Sequence, residues 1–326
     1  MSTHPITQKR APGPGRARVF LRRLREGDQV AHLVTFIFAS AILLLSVLLF
    51  YELYRNSHLS RERYGWQFFY MSTWDPVFEN FGALPFVYGT LVTSALALLL
   101  AVPGGVGAAI FLAELAPRRV SDVMTFLIEL LAAVPSVVYG LLGIFILVPL
   151  LRTQVQPLLK EHLGFLPFFQ GPIYGVGLLA AGALLAIMVV PFIISISREV
   201  LLAVPQRQRE AALALGATRW EMTMKVVLPY AKKGIFGSIF LALARALGET
   251  MAVTMVIGNT PQINASLFAP GYSVAAVIAN EFTEATSDLY ISALIELGLV
   301  LFLLTILVNA VARLLILATG QGEARA

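Results

Sequence analysis

The chain has 326 residues, of which 58% are hydrophobic and 13% charged, with a net charge of +5 and a mean hydropathy of +0.78. Soluble domains run at about 45–50% apolar and about 25% charged, so this is the composition of a membrane protein. There is no cysteine, which excludes disulfides, iron–sulfur clusters and thiolate zinc sites.

Residues 1–29 carry Lys9, Arg10, Arg16, Arg18, Arg22, Arg23 and Arg25 among prolines and glycines, and read as a basic tail. The apolar run over 30–51 exceeds the roughly 7–15 residues of a signal-peptide core, and is predicted as an uncleaved first transmembrane helix. Residues 52–85 are polar and aromatic, with Trp66, Phe68, Phe69, Tyr70, Trp74 and Asp75, as expected of an outer loop near the interface. A second span is predicted over 86–113, broken at Pro103-Gly104-Gly105, and a third over 121–151, carrying Glu129 and Pro135. A second outer loop follows over 152–172, then a fourth span over 173–196 kinked at Pro191. A polar, basic interruption fills 200–230. The fifth span is predicted over 234–257, a third outer loop over 259–288 with a short helix at 273–283, the sixth span over 289–319 and a tail over 320–326. The expected fold is an all-α membrane protein with six transmembrane helices.

Charge sets the orientation. Of the 24 basic residues, 18 fall on the amino tail, Arg118, Arg119, the 198–233 region, Arg313 and Arg325, while the opposite loops hold only Arg55, Arg61, Arg63, Arg152 and Lys160. Positive residues concentrate on the cytoplasmic side, so both termini and the 200–230 interruption are expected in the cytoplasm, and 52–85 in the periplasm. No nucleic-acid partner is expected. The chain has no Gly-x4-Gly-Lys-Ser/Thr phosphate loop, so it does not hydrolyse ATP by that route. His4, His32, His58 and His162 are scattered over different segments, no Ser/His/Asp grouping stands out, and neither a metal site nor a catalytic residue is expected.

The interruption has its own grammar. Glu210-Ala211-Ala212-Leu213-Ala214-Leu215-Gly216 reads as a short helix with Glu210 in its first turn and Gly216 at the bend past its end. Residues 219–228 read as a second amphipathic piece that Pro229 ends. Glu-Ala-Ala, three residues, Gly, nine residues, an aliphatic residue, one more, and Leu228-Pro229 resembles the EAA loop of bacterial ABC importer permeases, with Val226 where isoleucine is usual. The resemblance implies that Glu210, Ala211, Ala212, Gly216, Leu228 and Pro229 belong to a coupling segment that docks into a cytoplasmic ATPase subunit. An ordinary amphipathic surface helix is the plainer reading.

A second feature lies inside the fifth span. Arg245 and Glu249, four residues apart, would share one helix face and pair near mid-bilayer. Placing an arginine there costs at least about 2.5–3.5 kcal/mol, so the pair either pins neighbouring helices or lines a pathway, and a pathway arginine implies an anion. The run 244–253, Ala-Arg-Ala-Leu-Gly-Glu-Thr-Met-Ala-Val, followed by Gly258-Asn259-Thr260, is similar to the PstC-type permease of phosphate-specific ABC importers, with the sister PstA type left open. The likeness implies a type I importer permease core over 86–319, with Arg245, Glu249 and Thr250 on the substrate pathway. It also implies a PstA-like second permease, a PstB-like ATPase dimer carrying ATP and magnesium, a PstS-like periplasmic phosphate-binding protein, and a place among the lipids of the bacterial inner membrane. The chain itself needs no cofactor.

Glu129 and Glu296 are the other ionisable residues expected inside spans. For each, protonation, pairing with a neighbouring helix and exposure to a wet cavity stay open. Three other readings also stay open. These are a permease for sulfate, molybdate or phosphonate, an ATP-independent anion transporter or channel, and a membrane-embedded enzyme using Glu129 or Glu296.

Overall fold

The computed structural model describes the backbone from Asp28 to Gly320. The basic tail expected over 1–29, save its last two residues, and the closing segment 321–326 lie outside the described residues. Residues 1–52 and 53–326 form two units. The described part of the first belongs to α1 (Asp28–Asn56), a helix apolar on every side. Such a helix suits a membrane and has no polar face to give to water.

The second unit opens with α2 (His58–Tyr64), a 3-10 turn at Gly65–Phe69, and a two-stranded antiparallel ribbon, β1 (Trp74–Asp75) with β2 (Asn80–Phe81). The expected outer loop is thus a folded cap. Its aromatics explain why: Trp74 packs edge-on against Phe81 and Phe86, each 4.8 Å away, and Phe81 stacks on Tyr290 at 5.1 Å. The Glu281 carboxylate accepts hydrogen bonds from Trp74 Nε1 (2.8 Å) and Tyr290 Oη (2.5 Å). Aromatic pairs of this geometry add about 0.5–1.5 kcal/mol beyond burial.

Then α3 (Leu84–Ile110) continues helically through Pro103-Gly104-Gly105, where a break was expected, and ends in a π-type turn at Phe111–Leu115. The glycines have a different use. A Cβ on Gly105 would lie 2.9 Å from Ile193 Cγ2, so its bareness lets α3 press against the helix that carries Ile193.

The third span departs most from expectation. α4 (Arg118–Ala132) is an amphipathic helix that stops before Pro135, and the long apolar helix α5 (Ser136–Leu163) starts after it. A proline removes a donor and disfavours helix at the residue before it, so Pro135 separates two elements rather than bending one. Glu129 consequently sits exposed on α4, outside the six helices apolar and long enough to cross a membrane. Residues 152–163, expected in a loop, are helical because π-type turns at Gly143–Leu147 and Leu151–Val155 place Pro149 and Pro157 at the first positions of the turns that follow.

At the centre of the unit is α6 (Leu178–Leu202), continuous through Pro191 and beginning five residues later than expected. Leu184, Leu185, Met188, Val189 and Ile193 are all at most 2% exposed. After it come α7 (Gln206–Ala214) and α8 (Arg219–Leu247), which a buried Ser197–Ser238 hydroxyl contact of 2.7 Å ties back to α6. The remaining helices are α9 (Met251–Val256), α10 (Val274–Glu281) and α11 (Asp288–Gly320). The short helix expected in the third outer loop is α10, capped by Ser273 Oγ accepting from Ala276 N–H at 3.2 Å. Among the described residues six helices, α1, α3, α5, α6, α8 and α11, are long and apolar enough to span a bilayer.

Candidate functional site

The interruption between α6 and α8 folds into an elbow closed at both ends by its own sequence. At the end of α7, Ala217 N–H donates to the Ala212 carbonyl (3.2 Å) and Gly216 N–H to the Leu213 carbonyl (3.0 Å). This is the paired bonding of a Schellman cap, and it needs a left-handed residue at Gly216, whose φ is +86°. Ala212 is buried in the apolar cluster beneath the elbow, and Ala217 packs against the same cluster. Two residues on, Thr218 opens α8 with a capping box. Its Oγ1 accepts from Glu221 N–H (3.2 Å), while Thr218 N–H donates to Glu221 Oε2 (3.0 Å).

Glu210 is the fifth residue of α7, not in its first turn, and is exposed, as is Ala211, whereas Ala212 is buried. Leu228 is half-buried and Pro229 exposed. Pro229 does not end the second piece. A π-type turn at Thr223–Val227 sets it at the head of the following stretch, and α8 runs unbroken from Arg219 to Leu247. The outward face is apolar, with Leu213 44%, Trp220 58% and Leu215 90% exposed. A cavity of about 610 Å³, lined by Ala211, Leu215, Gly216 and Lys225 among others, lies beside it.

Arg209, on α7, fastens the elbow to the bundle. Its guanidinium meets Glu114 in a two-pronged ion pair, Nη2–Oε1 2.7 Å and Nε–Oε2 3.3 Å, and donates to the carbonyls of Leu201 (2.8 Å) and Val204. Both side chains are nearly enclosed, at 11% and 5% exposure. One side chain thus joins α7, the end of α6 and the π-type turn after α3. Glu114 carried no signal in the sequence, because the pair spans 95 residues and no local spacing marks it.

At the other site the helix is broken. α8 ends at Leu247, and Gly248, Glu249 and Thr250 separate it from α9. The expected Arg245–Glu249 pair on one helix face is therefore not formed. Glu249 Oε1 instead accepts from Ala252 N–H (3.3 Å) and caps α9, where a carboxylate suits the positive end of the helix. Thr250 Oγ1 donates to the Gly248 carbonyl (3.4 Å) and stays within the break. Arg245 lies in the last turn of α8, where unpaired carbonyls favour a cation. It is exposed and, among the described residues, has no ion pair or hydrogen bond. Its guanidinium lies 5.7 Å from the centroid of the Phe192 ring. α5 closes on α9 because Gly140 is bare: a Cβ there would fall 2.3 Å from Met255 Sδ.

Of the remaining site residues, Glu296 is 1% exposed on α11 and remote from both sites along the chain. Among the described residues no three His, Asp or Glu side chains gather in a metal-binding group.

Residues 105–319 match the family described as binding-protein-dependent transport system inner membrane component. A phosphate transport system permease protein PstC of Mesorhizobium japonicum is 48% identical over 91% of this chain and 92% of its own. Its counterpart in Pasteurella multocida is 48% identical over 88% and 91%. In fold, the chain is similar to the inward-facing MetNI methionine ABC transporter (TM-score 0.52, 17% identity, 76% of this chain and 99% of that one). It is also similar to a bacterial ABC transporter for alginate (TM-score 0.55, 16% identity, 91% and 98%). Relatives this similar, aligned over nearly the full length of both chains, settle the family: the chain belongs to the PstC-type phosphate transport system permease proteins, multi-pass transport components of ABC importers rather than enzymes.

Proposed function

We propose that this chain carries inorganic phosphate across a bacterial inner membrane as one of two permeases in an ATP-driven importer, working by alternating access. The observation that carries the reading is Arg245. It is a guanidinium at a helix break, released from the carboxylate four residues on and held only by a half-buried aromatic ring. Helices interrupted within a membrane protein present their ends to ions, and a planar fork of donors matches an oxyanion.

In this reading a periplasmic phosphate-binding protein delivers the anion to the cap side, and Arg245 stabilises it between the two faces. ATP and magnesium sit on a cytoplasmic ATPase dimer, whose closure pushes the α7 elbow. The exposed Leu213, Leu215 and Trp220 meet the ATPase, and Arg209–Glu114 passes the displacement to α3 and α6. The second permease, of PstA type, completes the pathway. Both termini face the cytoplasm, on the charge asymmetry of the sequence.

The test is ATPase activity of the reconstituted four-component complex. Phosphate-loaded binding protein should stimulate it, and sulfate, molybdate or phosphonate offered in the same way should not. Equal stimulation by another oxyanion would reassign the substrate. Uptake that persists without the ATPase subunit would overturn the importer reading.

A further inference from the structure

An arginine within a span ordinarily has a carboxylate to neutralise it. Arg245 has none among the described residues, since the carboxylate nearest along the chain, Glu249, is spent on Ala252 N–H of α9. What faces the guanidinium is Phe192, with Cζ lying 5.7 Å from the centroid of the ring. A cation over an aromatic face within about 6 Å is drawn to the negative charge of that face.

Phe192 is a fixed support and Arg245 a movable arm. The ring is half-buried and packs against the core cluster, and its neighbours on α6, Val189 and Ile193, are fully buried. Arg245 is an exposed, long side chain at the end of α8. A second contact sets the register between the two helices. Ser238 precedes Arg245 by about two turns, and Ser197 follows Phe192 by about one and a half. The buried hydroxyl contact between those serines therefore pins α6 and α8, which run in opposite directions, where ring and cation meet.

A ring in place of a carboxylate matters to an anion. A carboxylate takes two of the guanidinium's N–H groups in a bidentate pair and cancels its charge, whereas a ring face takes none of them. We infer that Phe192 is the positioning residue for Arg245, an inference that rests on the reading of Arg245 as the group that meets phosphate. The ring holds the guanidinium at the helix break and leaves its charge and all five N–H donors to the oxyanion. Its pull is weaker than that of a buried ion pair, so the guanidinium turns from ring to anion and back in each cycle.

The experiment uses the assembled transporter with its binding protein in proteoliposomes, and reads labelled-phosphate uptake, ATP turnover and melting of the complex. Mono-, di- and trifluorophenylalanine placed at position 192 drain negative charge from the ring face step by step and nearly keep its shape. Uptake should fall with each fluorine, to about a tenth with three, which is about what losing such a contact amounts to. Turnover raised by loaded binding protein, and the melting point, should stay level. Phe192→Leu, which keeps apolar bulk without a ring, should match the trifluoro chain; it serves as the second variant should the fluorinated chains fail to assemble. Uptake that is flat across the series, while Arg245→Gln abolishes it, overturns the role of Phe192 and leaves the pathway reading standing. Uptake at the wild-type rate in Arg245→Gln overturns the pathway reading, and the role of Phe192 with it. A loss that tracks the melting point rather than the number of fluorines makes Phe192 a packing residue and overturns its positioning role as well.

Discussion

Arg245 and Glu249 were expected to neutralise each other, and the fold gives them separate tasks. The break at Gly248–Thr250 turns Glu249 into the cap of α9 and leaves Arg245 at the end of α8. Two predictions follow from that separation. Exchanging the charges, Arg245→Glu with Glu249→Arg, will not restore labelled-phosphate uptake; recovery would mean that the two act as an ion pair. Glu249→Leu removes a cap worth about 1 kcal/mol, whereas Glu249→Gln keeps an acceptor. The complex with leucine should therefore melt lower than the one with glutamine. Equal melting points would show that the cap contributes nothing. The sequence announced both residues by their cost inside an apolar stretch. It could not announce their roles, because a four-residue spacing implies a pair only if the helix continues, and the sequence does not reveal that Gly248 ends it.

Among the elements, the elbow was the most legible. Its glycine and its alanines are local signals, and local signals are what a sequence states plainly. Gly216→Ala forces a side chain into the left-handed region at about 1–2 kcal/mol, although the added Cβ would touch nothing. It should lower the stimulation of ATPase activity by the binding protein while the complex still assembles; unchanged stimulation would mean the bend is not part of coupling. The Arg209–Glu114 pair was invisible from sequence. Breaking a buried pair from one side costs about 3–5 kcal/mol, because the remaining charge stays buried. Arg209→Ala should destabilise strongly, and Arg209→Met with Glu114→Leu should recover most of that loss. A double variant no better than the single one would contradict this account. Prolines misled in both directions: Pro135 ends a helix outright, while Pro103 and Pro229, read as a break and an end, lie within helices that continue.

For the whole molecule, composition gave the class and hydropathy along the chain the number of spans, because hydropathy is summed over about twenty residues and tolerates local error. The cap over 53–83 was not legible. Its aromatics suited an interface equally well, and only long-range contacts to Tyr272, Glu281 and Tyr290 fold it. Orientation rests on charge and can be measured cleanly, since the chain has no cysteine of its own. A single cysteine at Ala211 should be labelled from the cytoplasmic side and one at Asn264 from the periplasmic side; the reverse pattern would invert the account. The central claim is that the elbow transmits work to a pathway whose anion is met by Arg245. Its most direct test is labelled-phosphate uptake and ATP turnover in proteoliposomes holding the complete transporter with Arg245→Gln. The account predicts an assembled complex, turnover still raised by loaded binding protein, and uptake reduced to background. Uptake at the wild-type rate would contradict it.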